Sequence, residues 1–551
     1  MNMKFNFKEL LSLNRKSILA LLVIGALALG IFHVTGLDEG VDFLNGDVTG
    51  PSQQQVITDI CIPVERVRTW NPLLSADEEV YYIEQLIYEG LFRLDEQLVA
   101  CGSLAKNWNF DETGTKLTIQ LKEGVTWHDG EALTAEDVKF TIDSMKKAVG
   151  CIYKSQVDII KAVKVVDPHS VELTFLHGDD TSLEKLTFPI IPAHQYKNLT
   201  ALLRASEDFT PVGTGMYRVE YLKRGEEIKL VPNLAYHGTN KASNTVRFKV
   251  TSDHANPVNL FAISDLNLVF LKNIDRETMY SNKDVEVMNF TSNEAEILGF
   301  NMTNPHLSQK KMRQAIAYAV DVDRLLDHIY YNNGVKSDSL YYPGYLGTEN
   351  EGDPYAVNVE KAKTLLRELG YSDAEGGMFR DSNGKLLTLT LTVNQESTMR
   401  MDAARMIQSQ LLKAGIDCQI QALDWESYQM VITARTYELF LGGYRFNEAY
   451  DLRFLLQSTV WNPAGYVNPK ADELLNRMGR GISAEDKTEA YETLKAMLAD
   501  ELPYYCMFYK TYGRMSDWEL QAEEQPLFFD LYRGADRWRL VKPLEVVDSE
   551  E

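Results

Sequence analysis

The residue types that could carry catalysis or bind a metal are scattered in this sequence. The nine histidines form no close pair, and the five cysteines stand far apart with no C-x-x-C motif. The sequence contains no G-x-S-x-G nucleophile elbow, no H-E-x-x-H zinc helix and no P-loop. Gly213-Thr-Gly215 has only two glycines and is a weak match to a dinucleotide-binding loop. We therefore expect no cofactor, no metal and no enzymatic activity.

Two polar pairs have simpler explanations than chemistry. His128-Asp129 is followed by Gly130, which is typical of a turn between two elements. Asp321 and Asp323 stand close together, but Asp321 is placed to cap the amino terminus of a helix. Neither pair therefore predicts a catalytic or metal site.

The cysteines Cys61, Cys101, Cys151, Cys418 and Cys506 leave two interpretations open. Export from the cytoplasm would permit a disulfide, and Cys101 with Cys151 is one candidate pair. The alternative is that the cysteines are small buried apolar residues.

The elements that position candidate binding residues are clearest from residue 358 onward. Helices are predicted from an Asn358 cap to Gly370, and from about Met399 to Lys413. Strands are predicted over 387–393, 416–422 and 437–441, and Asp424 is predicted to cap a further helix. Strand, helix and strand at this spacing predict a parallel crossover. Ligands bind beyond the carboxyl ends of such strands, so Gly442 to Asp451 is the predicted binding segment.

Earlier in the chain, two local patterns are distinct. Residues Lys116 to Leu121 alternate between apolar and polar, which predicts a half-buried strand. Thr134-Ala-Glu-Asp137 has the spacing of a capping box and predicts the start of a helix.

The amino terminus has the pattern of an export segment. Lysines and arginines precede an apolar run from Ile18 to Phe32, and acidic residues follow it, which orients the carboxyl side outward. We predict an uncleaved membrane anchor over residues 17–37, after a cytoplasmic basic tail over 1–16. A cleaved signal peptide is the alternative, which would leave a secreted or periplasmic protein. Residues 38–54 are predicted to form a flexible linker.

The formal net charge of −23 argues against a nucleic-acid partner, because a negative surface repels phosphate backbones. The charge fits a large soluble surface.

Several blocks of this sequence resemble the extracellular solute-binding proteins of peptide and nickel ABC transporters, known as family 5. The longest block runs from Leu121 to Val138 (LKEGVTWHDGEALTAEDV). Shorter blocks are YEGLF at 88–92, PVGTGMY at 211–217, MRQAIAYAVD at 312–321 and NPKADELL at 468–475. Met216 departs from the proline that is usual in this family.

The resemblance implies an α/β fold of the type II, cluster C periplasmic-binding class, with two lobes, a hinge between them and an extra inserted domain. The first lobe would comprise residues 55–95, 205–290 and 505–545. The inserted domain would comprise 96–204, and the second lobe 291–504. Ligand would bind in the cleft between the lobes.

The resemblance also implies candidate ligand-binding residues. Trp425 and Tyr444 match positions where family members place aromatic cleft walls. Asn447 stands where peptide binders usually have an aspartate that pairs with the peptide's amino group, and Glu448 beside it is a candidate substitute. Arg445 is a cation that could receive a carboxylate or phosphate, or could instead pair with Glu448 or Asp451 on the surface.

The function implied is that of an extracytoplasmic substrate-binding subunit of an ABC importer, with an oligopeptide-like solute as ligand. Its partners would be the permease subunits with their cytoplasmic ATPase, and the membrane through the amino-terminal segment. We expect a monomer. Three alternatives stay open: a binder of a nickel chelate or oligosaccharide, a surface sensor of peptide signals without import, and a secreted hydrolase.

Overall fold

The computed structural model describes most of the chain that follows the predicted anchor. The described residues are 54–65, 67–196, 209–251, 266–272, 286–373, 376–481, 483–516 and 518–543. The predicted basic tail and anchor, and the linker up to residue 53, lie outside these ranges. Within the described ranges, no helix has both the length and the apolar composition needed to cross a bilayer.

Strands and helices alternate along the described chain. The strands are β1 (Gln54–Ile57), β2 (Asp59–Val64), β3 (Phe92–Leu94), β4 (Ala100–Gly102), β5 (Ala105–Phe110), β6 (Lys116–Leu121), β7 (Ile160–Asp167), β8 (Ser170–Phe175), β9 (Tyr217–Lys223), β10 (Glu227–Pro232), β11 (Thr245–Val250), β12 (Leu268–Leu271), β13 (Glu286–Phe300), β14 (Gly334–Lys336), β15 (Ser372–Asp373), β16 (Phe379–Arg380), β17 (Thr388–Asn394), β18 (Asp417–Leu423), β19 (Leu439–Arg445), β20 (Tyr504–Ser516), β21 (Glu519–Gln521) and β22 (Arg539–Pro543). The helices are α1 (Glu78–Ile87), α2 (Ala135–Lys147), α3 (Lys154–Asp158), α4 (Lys310–Ala319), α5 (Val322–His328), α6 (Val359–Glu368), α7 (Thr398–Lys413), α8 (Trp425–Ala434), α9 (Arg453–Leu456), α10 (Pro469–Met478) and α11 (Ala484–Glu501).

Three sheets carry most of these strands. One four-stranded sheet has the order β2-β11-β10-β9, with β2 and β11 parallel and the other pairs antiparallel. A second, β5-β6-β8-β7, is antiparallel throughout. The largest has the order β12-β20-β13-β19-β17-β18, and β14 pairs with β20 beside this path. Apolar side chains from the sheets and helices form the buried cores.

The predicted parallel crossover is confirmed in the largest sheet. Strands β17 and β18 are parallel, with Thr388 opposite Asp417, and α7 connects them. The side chains of Asn358 and Asp424 cap α6 and α8, as predicted, by accepting bonds from the backbone N–H groups of Lys361 and Ser427. These caps fix where each helix begins after its preceding strand or loop.

The third strand of this region begins and ends later than the sequence predicts. The prediction was 437–441, whereas β19 spans Leu439–Arg445. It lies between β17 and β13 in the sheet, and pairing with β13 continues to Arg445. Residues 442–445 are therefore strand, and the turn that was predicted to hold the ligand begins at Phe446.

The two early predictions are confirmed. Strand β6 spans Lys116–Leu121, and its side chains alternate between exposed and buried. The capping box at the start of α2 is formed, and the backbone N–H of Thr134 donates to Asp137 Oδ2 at 2.8 Å.

His128 lies in the predicted turn, and its ring holds a glycine segment in place. Gly130 has a φ of +94° and its N–H donates to the carbonyl of Trp127. The Nδ1 atom of His128 accepts from the N–H of Gly213 at 3.1 Å, and Nε2 lies 3.0 Å from the Gly215 carbonyl. A Cβ atom at position 213 would lie 1.9 Å from the carbonyl oxygen of Ile87, so glycine is required there. The structural interpretation of His128 is therefore correct.

Two long strands, β13 and β20, pair along most of their length and cross the predicted boundaries between the lobes at 290 and 505. The pairing register shifts between Thr291 and Ala295, which is a bulge. Strand β12 pairs with the far end of β20, and Asn267 beside it exchanges hydrogen bonds of 2.9 and 3.0 Å with Cys61 of β2. The largest sheet and the β2 sheet are therefore joined at this point.

The candidate disulfide is not formed. The thiols of Cys101 and Cys151 are both free, and burial raises the pKa of each. Cys151, Cys418 and Cys506 are buried, which agrees with the alternative that these cysteines act as small apolar residues.

Candidate ligand-binding site

Trp425 is the first residue of α8 and is 49% exposed, because the Asp424 cap leaves it at the open end of the helix. Its ring stacks on Tyr428 with centroids 5.8 Å apart and planes inclined by 16°. Its backbone N–H donates to Glu396 Oε1 at 3.1 Å. The indole therefore has one face supported by protein and much of its surface available to a ligand.

Tyr428 connects this helix to β19. Its hydroxyl donates to the carbonyl of Leu441 at 3.1 Å. A Cβ atom at Gly442 would lie 2.4 Å from that hydroxyl, so the strand must carry glycine where the tyrosine approaches.

A bidentate ion pair lies next to β19. The guanidinium of Arg400 bonds Glu296 through Nε at 2.6 Å and Nη2 at 3.0 Å, and Glu296 is fully buried. The Tyr330 hydroxyl donates to the same carboxylate at 3.3 Å. A Cβ atom at Gly443 would lie 2.5 Å from Arg400 Nη2. The glycines of the predicted binding segment thus make room for protein side chains.

Tyr444 is partly buried in an aromatic group. Its ring meets Phe454 edge-on at 5.9 Å and lies 6.2 Å from Phe446. Burial raises its pKa, so it stays a neutral hydroxyl. The position can supply an aromatic surface together with a hydrogen-bonding group.

Arg445 forms an ion pair with Glu78, the first residue of α1. Neither of the two partners considered from the sequence, Glu448 or Asp451, is its ion-pair partner in the described ranges. Glu78 also binds Lys272 at 2.5 Å. Burial raises the pKa of Glu78, but the bonds to Lys272 and Arg445 lower it further, so the net shift is downward.

Asn447 and Glu448 lie in the turn that follows β19 and differ in their environment. The Asn447 side chain is exposed, and its backbone carbonyl accepts from Tyr450 N at 3.2 Å. Glu448 is partly buried and accepts a hydrogen bond of 3.0 Å from the hydroxyl of Tyr81 on α1. The turn therefore contacts α1 through Glu448.

Asp451 belongs to a charged junction between residues 180–185 and the segment 451–487. The members of this charged junction are Asp180, Glu184, Lys185, Asp451, Arg453 and Lys487. Asp451 bonds Arg453 Nε at 2.7 Å and lies 3.4 Å from Lys185. Burial would raise its pKa, but Arg453 and Lys185 hold that pKa at about 2.

The six predicted site residues, Trp425, Tyr444, Arg445, Asn447, Glu448 and Asp451, do not share one environment. Trp425 packs on α8, Arg445 and Glu448 contact α1, and Asp451 is committed to the charged junction. In the described part of the chain, no ring contact joins Trp425 to Tyr444. Asp451 already has two cationic partners, so it is the least available of the six to a ligand.

A cavity of about 830 Å³ lies against α1. The cavity face of α1 includes Tyr81, Glu84 and Gln85, and because Glu84 and Gln85 follow Tyr81 by three and four residues they share one side of the helix. Tyr88, directly after the helix, also lines the cavity. Tyr153 and Gln156 line the cavity from the other side, and residues 524–537 close another wall. Of the six predicted site residues, Glu448 alone lines this cavity.

Sequence reasoning missed the cavity face of α1 and the Arg400–Glu296 pair. The sequence of α1, EEVYYIEQLI, places Glu84 among the buried apolar residues of the helix, and a charged residue type at a core position is a usable signal. Nothing in the sequence indicates that Arg400 meets Glu296, 104 residues away. Among the described residues, no three His, Cys, Asp or Glu side chains converge as metal ligands do.

Comparison with known proteins gives a consistent result. The family of bacterial extracellular solute-binding proteins, family 5 (middle part), matches residues 101–463. The oligopeptide-binding protein AppA of Bacillus subtilis (strain 168) is 26% identical over 494 residues, which cover 86% of this chain and 90% of AppA.

Solved structures share the fold. The periplasmic murein tripeptide-binding protein MppA, in its unliganded open form, matches with a TM-score of 0.75 at 16% identity, over 89% of this chain and 99% of MppA. A nickel ABC transporter protein from Bacillus halodurans matches with a TM-score of 0.72 at 18% identity, over 84% of this chain and 95% of that protein. These matches confirm the predicted two-lobed α/β class. With the family match over most of its length, the chain belongs to the bacterial extracellular solute-binding proteins of family 5.

Proposed function

We propose that this chain is the substrate-binding subunit of an ABC importer and takes an oligopeptide-like solute into the cavity beside α1. The cavity carries the proposal, because about 830 Å³ lies within the range of roughly 300–1,000 Å³ that small-ligand pockets occupy. The relatives that bind an oligopeptide and a murein tripeptide support a peptide as the ligand class. The role is binding and release of an unchanged solute.

The lobes would divide as the sequence predicts, at 290/291 and 504/505. Strand β13 passes through the first position, and β20 begins at Tyr504 beside the second. The bulge between Thr291 and Ala295 interrupts the pairing of these strands next to the first position. A bend at this bulge would let the two proposed lobes move relative to each other as rigid bodies. The antiparallel sheet β5-β6-β8-β7 lies within 96–204, which supports an inserted domain.

Two contacts would report on closure of the cleft. The Arg445–Glu78 ion pair and the Tyr81–Glu448 hydrogen bond both join α1, in the proposed first lobe, to the end of β19 in the proposed second lobe. Ligand affinity must favour the closed form for closure to follow binding. Trp425 and Tyr444 do not line this cavity, and they would extend the binding surface beyond it with aromatic rings. Asn447 would face solvent.

The protein works on the extracytoplasmic side, as members of this family do. We infer that residues 17–37 stay attached as an anchor and hold the binder near its permease. Amino-terminal sequencing of the mature protein tests this inference. A mature start between about residues 30 and 50, near a signal-peptide cleavage site, would show instead that the segment is removed.

Native mass spectrometry of the full-length chain purified from its own host tests the ligand class. We expect peptides bound at one per chain and released with unchanged mass. A nickel chelate or an oligosaccharide in their place would overturn the proposed ligand. Incubation with a peptide library tests the binding role, since turnover of the library would show a hydrolase.

A further inference from the structure

The cavity face of α1 carries an acidic residue whose hydrogen bonds are incomplete. Glu84 is about 2% exposed, and its Oε2 atom accepts a bond of 3.2 Å from the hydroxyl of Tyr153. Its Oε1 atom is buried and has no hydrogen-bond partner. A buried acceptor without a donor destabilises the folded protein, so such atoms are rare and a bound ligand is one way to complete them.

No cation of the protein compensates Glu84 within the described ranges. Two other acidic residues of the cavity wall have partners of their own: Glu89 contacts His237 at 2.8 Å, and Glu524 forms an ion pair with Arg533 at 2.6 Å. Glu448 also lines the cavity, where it accepts the bond from Tyr81. The rings of Tyr81 and Tyr153 are 6.3 Å apart, so the two carboxyl groups are flanked by neighbouring aromatic rings.

Burial of the Glu84 carboxyl group favours its protonated form. Burial raises the pKa of Glu84 to about 8, although the Tyr153 bond lowers it. The carboxyl group is therefore mostly protonated at pH 7 when no cation is bound to it. A cation that bonds to the carboxyl group would favour the ionised form and displace that proton.

We infer that Glu84 receives an ammonium group of the bound solute, with Oε1 as the acceptor and the rings of Tyr81 and Tyr153 beside it. The inference rests on the proposed function and adds the charge of the solute to it. An ammonium group supplies N–H donors to the atom that lacks one, and aromatic faces attract a cation. The group can come from the amino terminus of a peptide or from a lysine side chain.

Calorimetric titration of the full-length chain at pH 7 separates these sources. Trialanine is compared with acetyl-trialanine, and acetyl-Ala-Lys-Ala with acetyl-Ala-norleucine-Ala, so each pair differs by one ammonium group. We expect the charged member of at least one pair to bind about tenfold more tightly or better, as charge-assisted hydrogen bonds do. Binding of that member should release a proton, which is measured as a dependence of the heat on the buffer.

Substitution Glu84→Gln should reduce the preference to about threefold or less and abolish the proton release, since the amide cannot ionise. Glu79→Gln is the matched control. Glu79 lies on the same helix, bonds the N–H of Glu65 at 2.5 Å and does not line the cavity, so the preference should persist. Circular dichroism establishes that both variants fold.

The outcomes distinguish this inference from the proposed function. Tight binding of peptides without a charge preference, or a preference that survives Glu84→Gln, would reject the ammonium subsite and leave peptide binding intact. Cadaverine, a diamine without a peptide bond, tests whether the ammonium subsite exists without peptide binding. Cadaverine binding that Glu84→Gln removes, together with no peptide binding, would support the subsite and reject the peptide ligand. Failure of every probe would reject both.

Discussion

Two regions join distant parts of this chain through charged side chains, and they differ in how completely the charges are paired. In the charged junction, Lys487 Nζ lies 2.5 Å from Glu184 Oε1, and Arg453 binds both Asp451 and Asp180. On the cavity face of α1, Glu84 keeps one oxygen without a partner although it is at least as buried as Glu184 and Lys487. One region uses all its charges within the protein, and the other leaves an acceptor for a solute.

This difference indicates that the charged junction connects parts of the structure, whereas the cavity face of α1 is a binding surface. Backbone bonds reinforce the charged junction, where Thr181 N donates to the Gly479 carbonyl and Gly481 N to Thr181 Oγ1, each at 3.0 Å. At the cavity, tyrosine hydroxyl groups donate to the carboxyl groups of Glu84 and Glu448, and these hydroxyls can change partners when a ligand enters. Mutations in the junction should therefore alter stability, and mutations beside the cavity should alter affinity and its pH dependence.

Substitution Lys487→Met should have the largest effect on stability. Lys487 and Glu184 are each 8% exposed at the side chain, so the variant leaves a carboxylate buried without its cation. Loss of one partner of a buried pair costs about 3–5 kcal/mol. We expect a decrease of that size in the free energy of unfolding, measured by denaturant titration with circular dichroism.

Lys470→Met is the matched control for this substitution. Lys470 pairs with Glu473 on the surface, where both side chains are more than half exposed, and such pairs contribute less than about 1 kcal/mol. Equal losses in the two variants would show that the junction is no more stabilising than a surface pair.

Substitution Glu84→Gln should change how stability depends on pH, in the absence of ligand. The folded protein keeps the Glu84 proton up to about pH 8, whereas the unfolded chain loses it near the ordinary value of 4.5. Stability therefore falls as pH rises between these values, by at most about 1.4 kcal/mol for each pKa unit. The variant cannot ionise at position 84, so its free energy of unfolding should not show this decrease. When the wild type and the variant are compared at both pH values, the variant should gain a few kcal/mol over the wild type between pH 5 and pH 8.

The groups that face Glu84 do not obscure this measurement. They are Tyr88, Tyr153 and Cys151. Burial raises the pKa of each, so all three stay protonated over this pH range. Glu79 and Asp530 also have raised pKa values, but they are present in both proteins and cancel in the difference. Parallel stability curves for wild type and variant would show that Glu84 is ionised in the folded protein over this pH range.

Local sequence patterns predicted the scaffold better than the site. Caps at Thr134, Asn358 and Asp424 were predictable because each depends on a few neighbouring residues. The parallel strands β17 and β18 followed from apolar alternation and the length of the connecting helix. The boundary of β19 was missed, because two glycines resemble a turn while β13 keeps them paired.

The site depends on contacts between residues far apart in sequence, which local patterns do not contain. Glu84 and Tyr153 are 69 residues apart, and Glu184 and Lys487 are 303 apart. Arg445 was expected to be near a ligand or an acidic neighbour in its own turn, yet its partner is Glu78. The composition shows that Asp and Glu outnumber Lys and Arg, but it does not show which carboxyl group lacks a hydrogen-bond partner.

Substitution Trp425→Ala tests whether the proposed binding surface extends to α8. Half of the indole is exposed, so its removal should cost little stability. If the solute packs on it, affinity for the tightest binder of the tripeptide series should fall about fivefold to tenfold, the equivalent of roughly 1 kcal/mol. Trp461→Ala is the matched control, since Trp461 is also 49% exposed and packs against Arg435. Equal affinities of both variants and the wild type would remove Trp425 from the site.

Substitution Arg445→Ala should have the smallest effect on stability, although it breaks a contact between α1 and β19. The Arg445 side chain is 45% exposed, and Glu78 keeps its bond to Lys272 at 2.5 Å. We expect a loss below about 1 kcal/mol, which decreases further at high salt because exposed charges are screened. Glu78→Gln should cost more, since it weakens the bonds to Arg445 and Lys272 together. A decrease above about 2 kcal/mol in the free energy of unfolding of Arg445→Ala would show that the Arg445–Glu78 pair stabilises the fold as strongly as a buried pair does. The pair would then hold α1 against β19 permanently, and it could not open to admit a solute.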